Sequence, residues 1–398
     1  MKKNNTDQAC LNRIPNCMQS FDLIPDYPQK PIPEIYNNIF FNDNAFPHAL
    51  RDYFYACSYK SYLPCGQTSD VVSYNALAKV LAKGARVINL DLFYTGFDAF
   101  DKNTKLIVGN VETVTINSLP IKKLTGLNKI CNKYYDKDTC GEQCYLPYLE
   151  FDKCLQLIKE LAWKQSSAPL FLYLNLEFEP NQGLEYQAFS QINSIFRSKL
   201  MDKYYGFQRV PIGSAPYSQA KNKIIIITNR RPVNSFLNEI TNSVMSAESI
   251  GIKLYKISID NSYKNVDYYG ESAVVSLMST DKKKVIENTS QNMVAVIKTT
   301  MQNQENIYDV KKDIFNYNTD WNFSVGISMT FMNWQVYPDA NDYFKKYMEK
   351  FKDGGMILKP QELRYIPKPP EDVYKRNKAL DFNNIKVYGL NGFMDFQT

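Results

Sequence analysis

The sequence predicts an α/β protein built as a TIM-type (β/α)8 barrel, and three observations carry that reading. Apolar, strand-like runs at residues 54–57, 87–92, 106–108, 170–176, 224–227, 254–259 and 327–331 alternate with helix-period stretches. Those stretches lie at 73–83, 151–163, 186–200, 233–247, 282–300 and 339–351. Strand, crossover helix, next strand is the pattern of a parallel sheet. The strand-like runs are short and unbroken, as in 224–227 and 169–174, which marks them as buried strands. The length then suits closure, because about eight strand–helix units over ~320 residues make a barrel with inserted loops.

The flanks differ in character. Residues 1–45 are polar and interrupted by Pro15, Pro25, Pro28, Pro31 and Pro33, a poor setting for long helices or central strands, and are expected to form an extended arm. Residues 366–398 open on Pro367, Pro369 and Pro370 and are expected to form a second extended tail. Between them the barrel divides into a first half, 46–231, and a second, 232–365.

Composition narrows the function classes. With 44% hydrophobic and 22% charged residues the chain has the make-up of a folded globular protein. A net charge of +6 spread without a basic stripe argues against nucleic acid as a partner but permits attraction to an anionic surface. Lys282–Lys283–Lys284 and Arg230–Arg231 are short enough to be solvated faces. The polar start has no signal-peptide core, and no apolar run approaches the ~20 residues needed to span a bilayer, so cytoplasmic synthesis is expected. All eight cysteines precede residue 155, no Cys-x-x-Cys occurs, and His48 is the single histidine. A structural zinc site is therefore not expected. Cys131, Cys140 and Cys144 share a polar loop that a disulfide would close in an oxidising compartment; reduced thiols are expected in the cytosol.

Specific residues go further than pattern. Residues 50–63 (LRDYFYACSYKSYL), then Gly66–Gln67 and residues 84–91 (GARVINLD), resemble the X half of eukaryotic phosphoinositide-specific phospholipase C. That family reads LSHYFISSSHNTYL, GDQ and GCRCVELD at these places. Residues 326–335 (GISMTFMNWQ) and 351–364 (FKDGGMILKPQELR) are similar to its Y half, and 223–231 (KIIIITNRR) to the strand between the halves. The resemblance implies a distorted barrel of the phospholipase C-like phosphodiesterase kind, in which imidazoles and a calcium ion stabilise charge at an inositol phosphodiester.

Position by position, the resemblance implies a degenerate site. The first catalytic histidine matches Tyr59, whose phenol, with a reference pKa near 10, is no proton shuttle at neutral pH. The second matches Val108, Gly109 or Asn110, according to the gap chosen. Of the calcium ligands, an asparagine matches Lys60, a glutamate matches Asn89, and an aspartate is kept as Asp91. The fourth matches Glu177, or Asn175 under a shorter gap, with Glu177 preferred. An ammonium at Lys60 would neutralise the remaining carboxylates in place of a metal. Arg230 is the one basic residue retained for binding an anionic ligand, and no arginine near residues 302–309 takes the family's phosphate contact. No cofactor and no metal are expected.

Three readings follow. The first is a catalytically inactive barrel serving as a structural or interaction protein, joined to protein partners through its proline-bearing arms. The Asn-, Lys- and Tyr-rich composition and the lack of room for regulatory modules suit a large DNA virus and a place in its virion or minor capsid. The second is a phosphoinositide or membrane-headgroup binder without turnover. The third is a divergent phosphodiesterase using Tyr59, Lys60, Asp91 and Glu177 in new roles.

Overall fold

The computed structural model describes residues 48–64, 72–95, 104–110, 148–246, 252–258, 281–299, 316–335, 342–352, 354–367, 388–389 and 392–393. The expected N-terminal arm, the loop carrying Cys131, Cys140 and Cys144, and most of the expected C-terminal tail lie outside these residues. The chain forms two compact units, Met1–Arg364 and Tyr365–Thr398. In the second, β12 (Tyr388–Gly389) and β13 (Gly392–Phe393) pair as an antiparallel hairpin.

The first unit is a closed barrel. Its eight parallel strands are β1 (Tyr53–Ser58), β2 (Val87–Thr95), β5 (Leu170–Leu176), β6 (Ile224–Thr228), β7 (Thr241–Ser246), β8 (Ile252–Ser258), β9 (Met293–Thr299) and β10 (Met329–Met332). They pair in that order, and β10 returns to β1. Three short strands lie outside the ring: β3 (Lys105–Val108) runs antiparallel to β2, β4 (Leu149–Glu150) pairs with β3, and β11 (Met356–Leu358) runs antiparallel to the start of β1.

Alternation along each strand sorts side chains into two layers. Tyr55, Cys57, Val87, Phe171, Tyr173, Ile225, Ile227, Met293, Ala295, Met329 and Phe331 fill the barrel interior. The intervening residues face outward. Ile88, Leu90, Leu172, Leu174 and Ile226 pack with α1 (Tyr74–Ala82), α2 (Phe151–Leu161) and α3 (Gln182–Phe196). Ala56, Val294, Val296 and Met332 pack with α6 (Lys282–Gln291) and α8 (Tyr343–Lys350). Burial on both faces explains why the strands read as unbroken apolar runs. Short helices α4 (Tyr217–Ala220), α5 (Ser235–Ile240) and α7 (Asp320–Ser324) complete the set.

Several boundaries differ from the sequence expectation. The helix expected over 233–247 ends at Ile240, and the rest is β7. Its opening residues are polar yet buried, each with a partner: Thr241 Oγ1 donates to the Leu237 carbonyl, Asn242 Oδ1 accepts from Ile226 N–H, and Ser243 Oγ accepts from Ile252 N–H. The helix expected over 282–300 stops at Gln291, and the β-branched run after Asn292 becomes β9. The helix expected from residue 186 starts at Gln182, because Asn181 Oδ1 caps it by accepting from Gly183 and Leu184 N–H, each at 2.9 Å. The run at 106–108 is a strand, but antiparallel and outside the ring.

The seam where β10 meets β1 is held by side chains. Trp334, fully buried, donates its indole N–H to the Cys57 carbonyl at 3.0 Å. Tyr347 of α8 accepts from Cys57 N–H at 2.7 Å and donates to the Thr330 carbonyl at 3.0 Å, so one phenol bridges both strands. Tyr347→Phe leaves a buried N–H and a carbonyl without that partner, and is expected to cost about 1–2 kcal/mol, read from the urea midpoint.

Candidate functional site

The C-terminal ends of the barrel strands gather most of the residues singled out in the sequence. Asn89 and Asp91 occupy inward positions on β2, in register with Tyr173 and Asn175 of β5. Tyr59 and Lys60 follow β1, and Asn110 follows β3. Lys60 has φ of 45°, in the left-handed region that a lysine seldom occupies. Two hydrogen bonds hold the turn: Lys60 N–H donates to Asn89 Oδ1 at 3.0 Å, and Leu63 N–H donates to the Lys60 carbonyl at 3.0 Å.

That turn aims the Lys60 ammonium inward. Its Nζ donates to Asn110 Oδ1 at 2.7 Å and lies 3.8 Å from Asp91 Oδ2. Asp91 also accepts from the Tyr62 hydroxyl at 2.9 Å and from Asn89 Nδ2 at 3.3 Å. Lys60, Asn89, Asp91 and Asn110 are each 5% exposed or less. Burial pushes the Asp91 carboxyl above its ordinary range, and Lys60, Tyr62, Asn175 and Asn89 pull it back only in part. Above this cluster Asn175 donates to Glu177. Below it the aromatic rings of Tyr173 and Phe331 meet edge-on at 6.2 Å, and Tyr59 meets Phe331 at 6.5 Å.

The structure resolves two alternatives left open by the sequence. Of Val108, Gly109 and Asn110, it is Asn110 that reaches the cluster; Val108 lies in the apolar layer outside the barrel, and Gly109 N–H donates to the Asp91 carbonyl. Level with Asp91 stands Asn175, while Glu177 lies two residues farther along. Of the two candidates for the fourth ligand position, Glu177 and Asn175, the register thus sets Asn175 level with Asp91. Tyr62 and Tyr173 received no role in the sequence reading, although Tyr62 lies inside the quoted motif.

Arg230 does not join these groups. Its guanidinium pairs with Glu185 of α3 at 2.6 Å, donates to the Phe178 carbonyl at 3.1 Å and lies over the Phe178 ring. Glu185 is fully buried and also accepts from Asn234 N–H at 2.7 Å. Arg230 therefore braces α3 against the segment after β6. His48 sits before β1, at the other end of the strand from Tyr59, with its ring 3.5 Å from Arg364.

The residues present do not fit calcium. Calcium takes six to eight oxygen ligands, carboxylates prominent among them. Here Asp91 is flanked by two neutral amides, and among the described residues no group of three His, Cys, Asp or Glu side chains is placed to hold a metal. An ion on Asp91 would also sit roughly 4 Å from the Lys60 ammonium. At an effective dielectric of ~20 a doubly charged ion there meets about 8 kcal/mol of repulsion. No helix among the described residues is long and apolar enough to cross a membrane.

Comparison with known proteins agrees with the fold. Residues 46–230 match the family described as phosphatidylinositol-specific phospholipase C, X domain. The fold is similar to that in the crystal structures of L. pealei PLC21 (TM-score 0.55, 14% identity) and S. officinalis PLC21 (TM-score 0.56, 14% identity). These matches cover 80% and 81% of this chain, but the chain spans only 38% of the length of either protein. No curated protein matches the chain by sequence. By fold, then, this is a (β/α)8 barrel similar to the one in these two proteins, and its residues 46–230 match the phosphatidylinositol-specific phospholipase C X-domain family.

Proposed function

We propose that this protein is a non-hydrolytic phospholipase C-like barrel acting as a structural or interaction component of a larger assembly. The observation that carries the reading is the buried Lys60–Asp91 pair enclosed by Tyr62, Asn89 and Asn110. Phosphodiester cleavage needs a group that takes a proton from the attacking hydroxyl and one that returns a proton to the leaving group. Amides do neither, and the Asp91 carboxyl is buried and already engaged by Lys60, Tyr62 and Asn89. Each lost acid–base or electrostatic group typically costs ~10²-fold in rate, and several are replaced together.

Tyr59 remains half-buried at the rim and is the residue nearest to a proton donor, yet its edge packs on Phe331 and its face lies 5.8 Å from the Lys60 ammonium. It is used here as a packing group. What remains is a closed barrel whose exterior serves contacts with other proteins.

The test is hydrolysis of phosphatidylinositol and its phosphorylated forms by the full chain, with calcium and with chelator. No product above the enzyme-free blank is expected. Calcium-dependent turnover that disappears in Asp91→Ala would overturn the reading.

A further inference from the structure

We infer that Lys60 is a tethered cation that takes the place of a metal ion, so that the barrel completes its own charge balance and is indifferent to divalent cations. The inference concerns the same cluster as the proposed function but stands whether or not the protein turns over a substrate. Its first support is placement. The ammonium lies between two oxygens, Asn110 Oδ1 at 2.7 Å and Asp91 Oδ2 at 3.8 Å, and is itself 4% exposed. A buried lysine is rare without a partner, and here the partner is the buried carboxylate.

The second support is the backbone. The positive φ at Lys60 is unfavourable for a lysine, and such geometry persists only where the surroundings hold it. They do so through Asn89, whose side chain does two jobs: Oδ1 accepts from Lys60 N–H, and Nδ2 donates to Asp91 Oδ1. A carboxylate at position 89 would supply no such donor to Asp91. The third support is the pairing. One ammonium faces one carboxylate among the neutral amides of Asn89, Asn110 and Asn175 and the phenol of Tyr62, while Glu177 lies above this set, bonded to Asn175.

The site is thus a small number of substitutions away from accepting a metal. Lys60→Asn removes the tethered charge and places at that backbone position a residue that tolerates the left-handed region. Adding Asn89→Glu supplies a second carboxylate beside Asp91. Terbium(III) is the probe, since the Tyr62 phenol bonded to Asp91 is close enough to sensitise its emission. The wild-type chain is expected to show no saturable emission from this site. Lys60→Asn should gain saturable emission, and the double variant should bind roughly tenfold or more tightly still, with calcium competing and Asp91→Asn abolishing the signal.

Circular dichroism reports whether each variant is folded; if the double variant is not, Lys60→Asn alone decides. Saturable binding by the wild type that Asp91→Asn removes would overturn the inference, as would folded variants that gain no affinity. Turnover by the wild type without metal binding would instead remove the proposed function and leave this inference standing.

Discussion

Gly355→Ala is expected to destabilise the barrel by about 4 kcal/mol or more, or to prevent its folding. A β-carbon at Gly355 would lie 1.8 Å from the carbonyl oxygen of Gly84, inside any permissible contact, and 3.0 Å from Cγ of Arg86. Neither obstacle can step aside cheaply. Gly84 is itself in a left-handed turn, with φ of 101°, linking α1 to β2. The Gly355 carbonyl accepts from Ala56 N–H at 2.8 Å, and the Ala56 carbonyl accepts from Arg86 N–H at 2.8 Å. Moving any one of the three segments therefore breaks the hydrogen bonds of the next. Arg86 is also pinned, because its guanidinium donates to the Ala162 carbonyl at 2.6 Å beyond the end of α2. Gly109→Ala provides the control. It lies near the candidate site, but its β-carbon would meet only the Phe93 ring at 3.7 Å, an ordinary contact, so a change within about 0.5 kcal/mol is expected. Equal urea midpoints for the two variants would show that the close approach at Gly355 does not matter.

The retained motifs were legible because they mark such places. Gly84, Arg86, Gly355 and Lys359 stood out in the sequence as part of a pattern, and the structure puts each where backbone segments or a buried charge leave little choice. The barrel itself was readable from strands such as 170–176 and 224–227, whose apolar runs need no context. The two barrel strands that were missed, β7 and β9, show what the pattern hides. Thr241, Asn242 and Ser243 are buried through hydrogen bonds made elsewhere in the fold, so their polarity mimics a solvated helix face. Only Asn292 separates α6 from β9, leaving no loop to signal the change. At the site, Tyr59, Lys60, Asn89 and Asp91 lie within short ungapped motifs and could be placed by counting. Asn110, Asn175 and Glu177 lie beyond variable loops, and only strand register decides among them.

Scaffold and site rest on different side chains. The contacts that close the barrel, among them the Trp334 and Tyr347 hydrogen bonds across the β10–β1 seam, involve different side chains from those around Asp91. A change at Lys60 alters charge inside the mouth without touching that seam. The fold therefore carries no guarantee of the chemistry found in its relatives.

Lys359 supplies a prediction that separates folding from the site altogether. It is fully buried, donates to the Thr289 carbonyl at 3.3 Å and lies 5.7 Å from the Phe54 ring. Burial lowers its pKa from 10.5 to about 7; Asp52 opposes the shift and Arg51 adds to it. A lysine whose pKa is lower in the folded than in the unfolded state is protonated more often when unfolded. Between pH 7 and 10.5 the unfolded chain then holds the extra proton, so stability from this group rises with pH by up to ~1.4 kcal/mol per unit. Below about pH 7 both states are protonated, and the cost of the buried charge is present in full and constant. Cys57 and Cys154 oppose the trend at the alkaline end, since burial raises their thiols and favours the unfolded thiolate there. Lys359→Met keeps the length and removes the titration, so the difference between variant and wild type isolates the lysine. Measured by urea denaturation at pH 7 and pH 9, the wild type is expected to gain about 2–3 kcal/mol relative to the variant, and the variant to be the more stable of the two at pH 7. A pH-independent difference between them would mean that the Lys359 ammonium stays protonated inside the fold, with its charge balanced by groups other than those around it here.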